Sequence, residues 1–306
     1  MLKLKIGEGN KIHTKFSDIK KEDILTGIIL LFPTVILLIL FVVYPLIKVI
    51  YNSFFVDIIY LNIRRWIFLA NFYEIFSDKT FWICLYNSIR FATISVPFEV
   101  ILGFLIALFL YFNDNKLVRF SIILPWALPT AIMALSWRFF LNEDYGIIPK
   151  FLSIFSLKDI YLSNNLFAFI WMVLIDIWKT TPFIAILMYS ALKGLNKEYL
   201  EAIDIEGGNW YHKIFWIIIP IIVPAVAVSI IFRYLYALAV FDLPLVLTGG
   251  GPSNSTKTLP MYIYENFFKF LDMGYASALT IFSTIIVFLI AYLLLILFSK
   301  LFKRSI

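Results

Sequence analysis

Residues 190–224 read SALKGLNKEYLEAIDIEGGNWYHKIFWIIIPIIVP, a charged segment between two strongly apolar ones. Asn196 is a candidate N-cap, and Glu198 follows it at the positive end of the predicted helix dipole. Gly207 stands where a helix-ending glycine is expected, and Asn209 is a candidate cap for a second helix. The first helix would have about ten residues, too few to be stable alone in water. This helix therefore needs a surface to dock on.

One face of this predicted helix carries four residues at helical spacing. They are Tyr199, Ala202, Ile203 and Glu206. Residues three and four positions apart lie on the same side of a helix, so we expect this face to rest on another surface. The pattern is typical of a short docking helix that has a partner.

The composition of the chain indicates a membrane protein. Hydrophobic residues make up 62% of the 306 residues and charged residues 15%, with a mean hydropathy of +0.91. Soluble domains carry about 25% charged residues, whereas a bilayer accommodates this much apolar surface. The fold class is therefore predicted to be an all-α polytopic membrane protein.

Reactive and metal-binding residue types are scarce. Cys84 is the single cysteine, so an internal disulfide is excluded. The two histidines, His13 and His212, are far apart in the sequence, and it contains no Ser/His/Asp set, paired acids or metal-ligand spacing. We therefore expect no catalytic site, no metal and no cofactor. A membrane-embedded glycosyltransferase or lipid hydrolase would need such residues near one interface, so we expect that the protein is not an enzyme.

About six transmembrane helices are predicted from the apolar segments. The segments cover roughly residues 24–51, 87–112, 119–140, 165–190, 212–240 and 275–301. Residues 52–86 form a mixed, aromatic-rich segment that suits the membrane interface. The predicted organisation is a basic tail over residues 1–23 followed by a transmembrane domain over residues 24–304.

The distribution of lysine and arginine predicts the orientation. With the N-terminus inside, the inner segments hold fourteen of these residues and the outer segments seven, in agreement with the positive-inside rule. Both termini, and the polar loop over residues 191–212, are therefore predicted to be cytoplasmic. The inner cations can face anionic lipid, so the net charge of +6 does not require a nucleic-acid partner.

Ionisable residues at membrane depth are candidates for a solute path. They are Glu99, Arg138, Asp176, Lys179, Arg233 and Asp242. Such groups are costly in lipid and usually pair with one another or line a pathway. For Asp176 and Lys179, three positions apart in the fourth span, both alternatives stay open: a structural pair, or a pair that lines a path. Glu99 is expected to pack or pair, and Arg138 to extend toward the outer interface.

The glycine-rich segment Thr248–Pro252 does not fit a nucleotide-binding loop. It reads Thr-Gly-Gly-Gly-Pro, lacks the Gly-Lys-Ser/Thr ending and follows a predicted membrane helix rather than a strand. We expect a tight turn with positive φ at glycine.

Residues 201–220 resemble the cytoplasmic signature of a known family, E-A-A-x-x-D-G-A followed at a fixed spacing by I-x-L-P. The matching residues are Glu201, Ala202, Gly207, Ile217 and Pro220. The departures are Ile203, Glu206, Gly208 and Ile219, in place of Ala, Asp, Ala and Leu. The family is the membrane-spanning permease subunits of binding-protein-dependent ABC sugar importers, and more narrowly the maltose/trehalose and sn-glycerol-3-phosphate type.

Other segments extend this resemblance to roughly residues 25–304. The stretches 176–183 (DIWKTTPF), 241–244 (FDLP) and 247–252 (LTGGGP) resemble the family's motifs and occur in the same order. Several separated motifs in the right order are more specific than one isolated match.

The resemblance implies a transmembrane permease subunit of an ATP-driven carbohydrate importer in the cytoplasmic membrane. Its implied partners are a dimer of ATP-binding cassette subunits, a second homologous permease, an extracytoplasmic sugar-binding protein, the carbohydrate substrate and the lipid bilayer. In this family the signature forms a coupling helix that docks on an ATPase subunit and transmits its movement to the spanning helices, which alternate access to the path.

The resemblance also assigns ATPase coupling to particular residues. They are Glu201, Ala202, Glu206, Gly207 and Pro220. By position, Glu201 would contact the ATPase, Gly207 would form the turn between two short helices, and Pro220 would mark the re-entry into the membrane.

The fourth and fifth spans are predicted to line the substrate path. The candidate residues are Asp176, Trp178, Lys179, Phe241 and Asp242. Aromatic faces suit sugar C–H surfaces, while polar groups bind hydroxyls. An alternative is an ion-coupled secondary transporter of a small polar solute, in which Asp176 and Lys179 would serve ion coupling. That class usually has internal repeats, which are not evident in this sequence.

Overall fold

The computed structural model describes residues 21–113, 115–155 and 161–304. Most of the predicted tail over residues 1–23 lies outside the described residues, so its placement stays a prediction. The chain divides into two compact units, residues 1–51 and residues 52–306.

The first unit contains one long helical segment interrupted by a wider turn. Helix α1 spans Lys21–Leu38, a π-helical turn spans Ile39–Val43, and helix α2 spans Tyr44–Asn52. Pro45 directly follows the start of α2 and has no N–H to donate to the preceding turn, which accounts for the wider turn. Thr26–Asn52 is long and apolar enough to cross a membrane, as the first predicted span requires.

Residues 52–86 contain a hairpin that the sequence did not predict. Strands β1 (Phe55–Ile58) and β2 (Ile63–Trp66) pair antiparallel, and helix α3 (Ala70–Ser77) follows them. Asn71 on α3 donates to the carbonyl oxygens of Ser53 and Phe55, each at 2.8 Å. The hairpin is therefore anchored to α3 by a buried amide.

Helix α4 spans Lys79–Phe112 and begins before the predicted start at residue 87. Asp78 caps it by accepting from the backbone N–H of Thr80 at 2.8 Å. The other carboxylate oxygen of Asp78 accepts from the hydroxyls of Tyr262 and Tyr275, at 2.6 and 2.7 Å. These contacts connect the start of α4 with two helices near the end of the chain.

The third predicted span is not one continuous helix. It consists of α5 (Lys116–Ala127) and α6 (Thr130–Phe140), which meet at an angle of 90°. Leu128 is extended, with φ −70° and ψ 135°, because the ring of Pro129 disfavours helical geometry in the residue before it. The prediction of a single helix over residues 119–140 is therefore wrong.

The remaining described elements are helical. They are α7 (Ile147–Ile154), α8 (Asn165–Lys193), α9 (Lys197–Ile205), α10 (Trp210–His212), a π-helical turn (Lys213–Ile218), α11 (Ile219–Leu238), α12 (Asp242–Leu247), α13 (Leu259–Phe268) and α14 (Met273–Arg304). Among the described residues, five helical segments are long and apolar enough to span a membrane, and the bent α5–α6 pair makes a sixth if it crosses once. The predicted fold class is confirmed, and the protein is a multi-pass membrane protein.

Helices α4 and α8 run parallel and form the centre of the second unit. A Cβ added to Gly103 would lie 2.8 Å from Cγ2 of Ile184, so only glycine permits this close approach without a shift. Toward the other end of the pair, Phe91 and Met172 are fully buried in one core cluster. This tight packing places residues from α4 and α8 around one set of buried charges.

Candidate substrate path and coupling loop

Arg233 on α11 lies between two buried carboxylates from other helices. Its Nη2 donates to Oε1 of Glu99 on α4 at 3.0 Å, and its Nε lies 2.6 Å from Oε2 of the same carboxylate. Nη2 also pairs with Oδ2 of Asp176 on α8. All three side chains are buried, so the guanidinium group compensates two carboxylate charges that have very little contact with solvent.

The ion cluster shows which partners the buried charged residues have. Glu99 is paired, as expected. Asp176 pairs with Arg233 and forms no salt bridge with Lys179, so the structural Asp176–Lys179 pair, one of the two open alternatives, is not present. Lys179 instead points its Nζ toward the carbonyl oxygen of Trp126, at 3.4 Å.

A cavity of about 520 Å³ lies beside the ion cluster. Its lining includes Asp176, Lys179, Arg233, Phe241 and Asp242, together with Trp126, Thr130, Phe183 and Tyr236. Four of the five proposed path residues therefore meet at one cavity. The exception is Trp178, which is 44% exposed and packs its ring edge-on against Trp137 at 5.7 Å.

The break between α5 and α6 supplies part of this cavity. Trp126 lies at the end of α5 and Thr130 at the start of α6, so both line the cavity where the chain turns by 90°. Trp126 also stacks on Phe183 of α8, with ring centroids 5.7 Å apart. Neither Trp126 nor Thr130 was predicted from the sequence to line a path, although the Leu-Pro pair at 128–129 marks the break.

The cavity is lined by aromatic rings and by charged side chains, some of which are paired with each other and some of which are not. Arg233 and Asp176 are paired, whereas Lys179 and Asp242 form no ion pair with any residue that the structure describes. Aromatic faces offer contact to apolar C–H surfaces, and the ionic groups offer hydrogen bonds in both directions. Such a lining suits a polar solute with hydroxyl groups.

The polar loop has the local structure that its sequence predicts. Asn196 caps α9 by accepting from the N–H of Glu198 at 3.2 Å. Gly207 has a φ of +74°, and Gly208 N–H reaches back to the carbonyl oxygen of Ile203 at 2.8 Å. This is the glycine-terminated turn expected at a helix end. The prediction of a cap at Asn196 and a stop at Gly207 is confirmed.

A second short helix begins two residues later and is tied back to the first. Asn209 accepts from His212 N–H at 3.3 Å and donates its own N–H to Nδ1 of His212 at 3.1 Å, so Asn209 caps this helix as predicted. Lys213 pairs with Asp204 of α9 at 2.6 Å. This ion pair connects α9 with the π-helical turn that follows α10.

Three of the four residues of the predicted docking face of α9 are exposed, and the fourth, Ile203, is half-buried. Tyr199 is 56% exposed, and Ala202 and Glu206 are also exposed. The helix contacts the rest of the chain instead through Leu200, which is only 8% exposed and lies in a core cluster. Ile205 is 87% exposed, an unusual state for a large aliphatic side chain.

Pro220 lies near the start of α11, within the continuous helical segment Trp210–Leu238. The π-helical turn Lys213–Ile218 ends two residues before it, and the earlier π-helical turn ends two residues before Pro45. Both wide turns therefore stand at the same offset before a proline, which has no N–H to donate.

Two other features predicted from the sequence, the turn at Thr248–Pro252 and the position of Arg138, do not belong to the cavity. The segment Thr248–Pro252 forms a tight turn, with φ of +67° at Gly249 and +84° at Gly250, as predicted. Arg138 is exposed and donates to the carbonyl oxygen of Val246 at 3.3 Å.

The sequence is similar to those of known transport proteins. The sequence model of a family described as "Binding-protein-dependent transport system inner membrane component" matches residues 99–306. The sulfoquinovosyl glycerol transport system permease protein of Agrobacterium fabrum is 35% identical over 85% of both chains. The trehalose/maltose transport system permease protein of Thermococcus litoralis is 30% identical over 90% of this chain and 95% of its own.

A solved structure has a similar fold. It is a bacterial ABC transporter involved in the import of the acidic polysaccharide alginate, and the matched chain gives a TM-score of 0.78 at 23% identity. The match covers 92% of this chain and 96% of that chain.

Proposed function

Since this chain belongs to the family of binding-protein-dependent transport system inner membrane components, we propose that it is the permease subunit of an ATP-driven carbohydrate importer. It forms the translocation path and couples the movement of separate ATPase subunits to alternating access. ATP hydrolysis belongs to those partners, and this chain provides no catalytic group.

The observation that carries this proposal is the exposed face of α9. This nine-residue helix is capped by Asn196 at one end and closed at Gly207 at the other, and its residues Tyr199, Ala202 and Ile205 are exposed. Exposed apolar groups beside polar ones are typical of a surface that another protein covers. The partner proposed for this face is a cytoplasmic ATP-binding cassette subunit, of which the complex contains two.

The other proposed partners follow from the family and its relatives. A second homologous permease completes the path, and an extracytoplasmic sugar-binding protein delivers the solute. The N- and C-termini and the loop over residues 191–212 are on the cytoplasmic side, which places the hairpin of residues 55–66 on the outer side.

The coupling residues have different roles in this proposal. Glu201 and Glu206 are exposed charged groups on or next to α9 and contact the ATPase, and Ala202 provides a flat position between them. Gly207 sets the angle at which α10 leaves α9. Pro220 marks the point where the chain passes from the loop into the membrane helix α11.

The proposed substrate is a carbohydrate or a carbohydrate derivative. Two relatives are permeases for sulfoquinovosyl glycerol and for trehalose/maltose, so both carry carbohydrate-containing solutes. The aromatic and ionic lining of the cavity fits that chemistry. Asp176, Lys179, Phe241 and Asp242 are the proposed path residues, and Trp178, which lies outside this cavity, acts only if the path widens during the transport cycle.

The coupling role predicts that Glu201→Arg weakens binding of the ATPase subunit. Reversal of one exposed charge in a docking face is expected to reduce the amount of ATPase that copurifies with the permease about tenfold, because unlike charges become like charges. The measurement is the ratio of ATPase to permease in complexes purified from membranes.

Glu143→Arg is the matched control for this charge reversal. Glu143 is exposed in the loop after α6, which is proposed to lie on the opposite membrane face. It should leave the ratio unchanged. Equal ratios for Glu201→Arg and the wild type would overturn the docking role of α9, and with it the main support for the proposed function.

The substrate path predicts different effects for two aromatic substitutions. Phe241→Ala removes a ring from the cavity lining and is expected to raise the KM of transport about fivefold, the equivalent of one lost stacking contact. Trp178→Ala removes a larger ring outside the cavity and should change KM less. Transport of a radiolabelled sugar into proteoliposomes measures both, and an unchanged KM for Phe241→Ala would remove Phe241 from the path.

A further inference from the structure

A groove between α4 and α8 has one cation at its end and apolar side chains along its length. It has a volume of about 240 Å³. The residues that matter to its chemistry are Arg90, Ile94 and Phe98 on α4, and Phe169, Val173 and Ile177 on α8. Because α4 and α8 run parallel, these residues follow one another in the same direction on both helices.

Arg90 has hydrogen-bonding capacity that none of the described residues uses. Its guanidinium carbon lies 3.9 Å from the centroid of the Phe169 ring, a cation–π contact. It forms no hydrogen bond or ion pair with any residue that the structure describes. A guanidinium group that stacks on a ring keeps its N–H groups at its edges, where they can bind a phosphate in a bidentate manner.

The position of Arg90 along α4 places it at the edge of the hydrocarbon layer. From Phe91 to Phe112 the helix contains a single charged residue, Glu99, which is buried. At 1.5 Å per residue this stretch is about 33 Å long, close to the roughly 30 Å of a hydrocarbon core. The length of this stretch predicts that Arg90 lies at the depth of lipid phosphate groups and that the groove leads from it toward the middle of the bilayer.

We propose that this groove binds one phospholipid with an anionic headgroup. The phosphate is held by Arg90, and one acyl chain lies along Ile94, Phe98, Val173 and Ile177. A cation that has no anionic partner among the described residues, at headgroup depth and continuous with an apolar groove at acyl-chain depth, matches the two chemical halves of a lipid. The site is separate from the cavity at Arg233, and it does not depend on the identity of the transported solute.

Arg90→Gln tests the headgroup contact. The assembled transporter is placed in phosphatidylcholine nanodiscs that contain a small fraction of spin-labelled phosphatidylglycerol, and the motionally restricted lipid is measured. Loss of one cation near an anionic lipid is expected to weaken its retention about fivefold. Arg65→Gln is the control, because it removes the same charge from an exposed position on the hairpin. Equal retention in the two variants would overturn the proposal.

Ile94→Trp tests the acyl-chain contact and carries the test if Arg90→Gln prevents assembly. The indole fills the groove, so retention of the labelled lipid should fall, whereas Ile101→Trp, at an exposed position of α4 that does not line the groove, should have no effect. A photo-crosslinker at position 94 should capture lipid. Capture of a protein chain instead would show that a subunit covers the groove, and would overturn the proposal.

Discussion

Arg233→Met is expected to lower the free energy of unfolding by about 3–5 kcal/mol, because it removes the cation from a buried ion cluster. A loss of this size is exceptional for a single substitution. The substitution leaves Glu99 and Asp176 buried next to each other without a cation, since no other ion pair of either carboxylate is present among the described residues. We expect little folded protein in the membrane. Unfolding of the purified chain in mixed micelles, followed by denaturant titration, measures the change in free energy.

Neutralisation of all three groups distinguishes charge compensation from side-chain packing. The combined variant Glu99→Gln, Asp176→Asn, Arg233→Met should recover most of the lost stability, because replacement of a complete buried ion cluster is often close to neutral. Arg138→Met is the control: it removes an exposed arginine and should cost no more than about 0.5 kcal/mol. If the combined variant were as unstable as Arg233→Met, packing and not charge compensation would explain the loss.

The local structure of the polar loop was predictable because its determinants are close in sequence. Asn196 needs only the next two residues to act as a cap, and Gly207 ends α9 because glycine adopts a positive φ at low cost. Such preferences are set by the backbone over one helical turn. Hydropathy likewise predicts spanning helices, because a bilayer requires apolar residues in nearly every position of a span.

Which residues pair with one another in the ion cluster could not be predicted from the sequence. Arg233 is 134 residues from Glu99 and 57 residues from Asp176, so their contact depends on how three helices pack. The sequence identified all three as costly groups in a membrane, but the spacing within one helix favoured Lys179 as a neighbour of Asp176. Tertiary packing placed Asp176 against Arg233 instead.

The break in the third span was predictable in principle and was missed. Pro129 follows Leu128 in a hydrophobic run, and a helix usually ends before the residue that precedes a proline. Membrane helices often tolerate proline, as Pro182 inside α8 illustrates. The difference is that two residues, Leu128 and Pro129, are both extended here, and this turn brings Trp126 to the cavity.

Gly207→Val is expected to reduce substrate-stimulated ATP hydrolysis of the complete transporter about tenfold. Gly207 has a φ of +74°, and a left-handed conformation costs a side-chain-bearing residue about 1–2 kcal/mol, more when the side chain is β-branched. A Cβ at this position meets no atom within 4 Å, so the cost arises from the backbone and not from a clash. Relief of that strain changes the angle between α9 and α10.

A series at this one position separates backbone strain from loss of a contact. Asn adopts the left-handed conformation more readily than other side chains, so Gly207→Asn should retain most of the stimulated hydrolysis, with Gly207→Ala between Asn and Val. The ATPase subunits should remain bound in all three variants, because the docking face on α9 is unchanged. If Gly207→Asn and Gly207→Val reduced the stimulated hydrolysis equally, any side chain at this position would disturb a contact with a partner. If instead the retained hydrolysis falls in the order Asn, Ala, Val, the backbone conformation at Gly207 controls coupling. The three side chains differ in their preference for that conformation, while the surface of α9 stays the same.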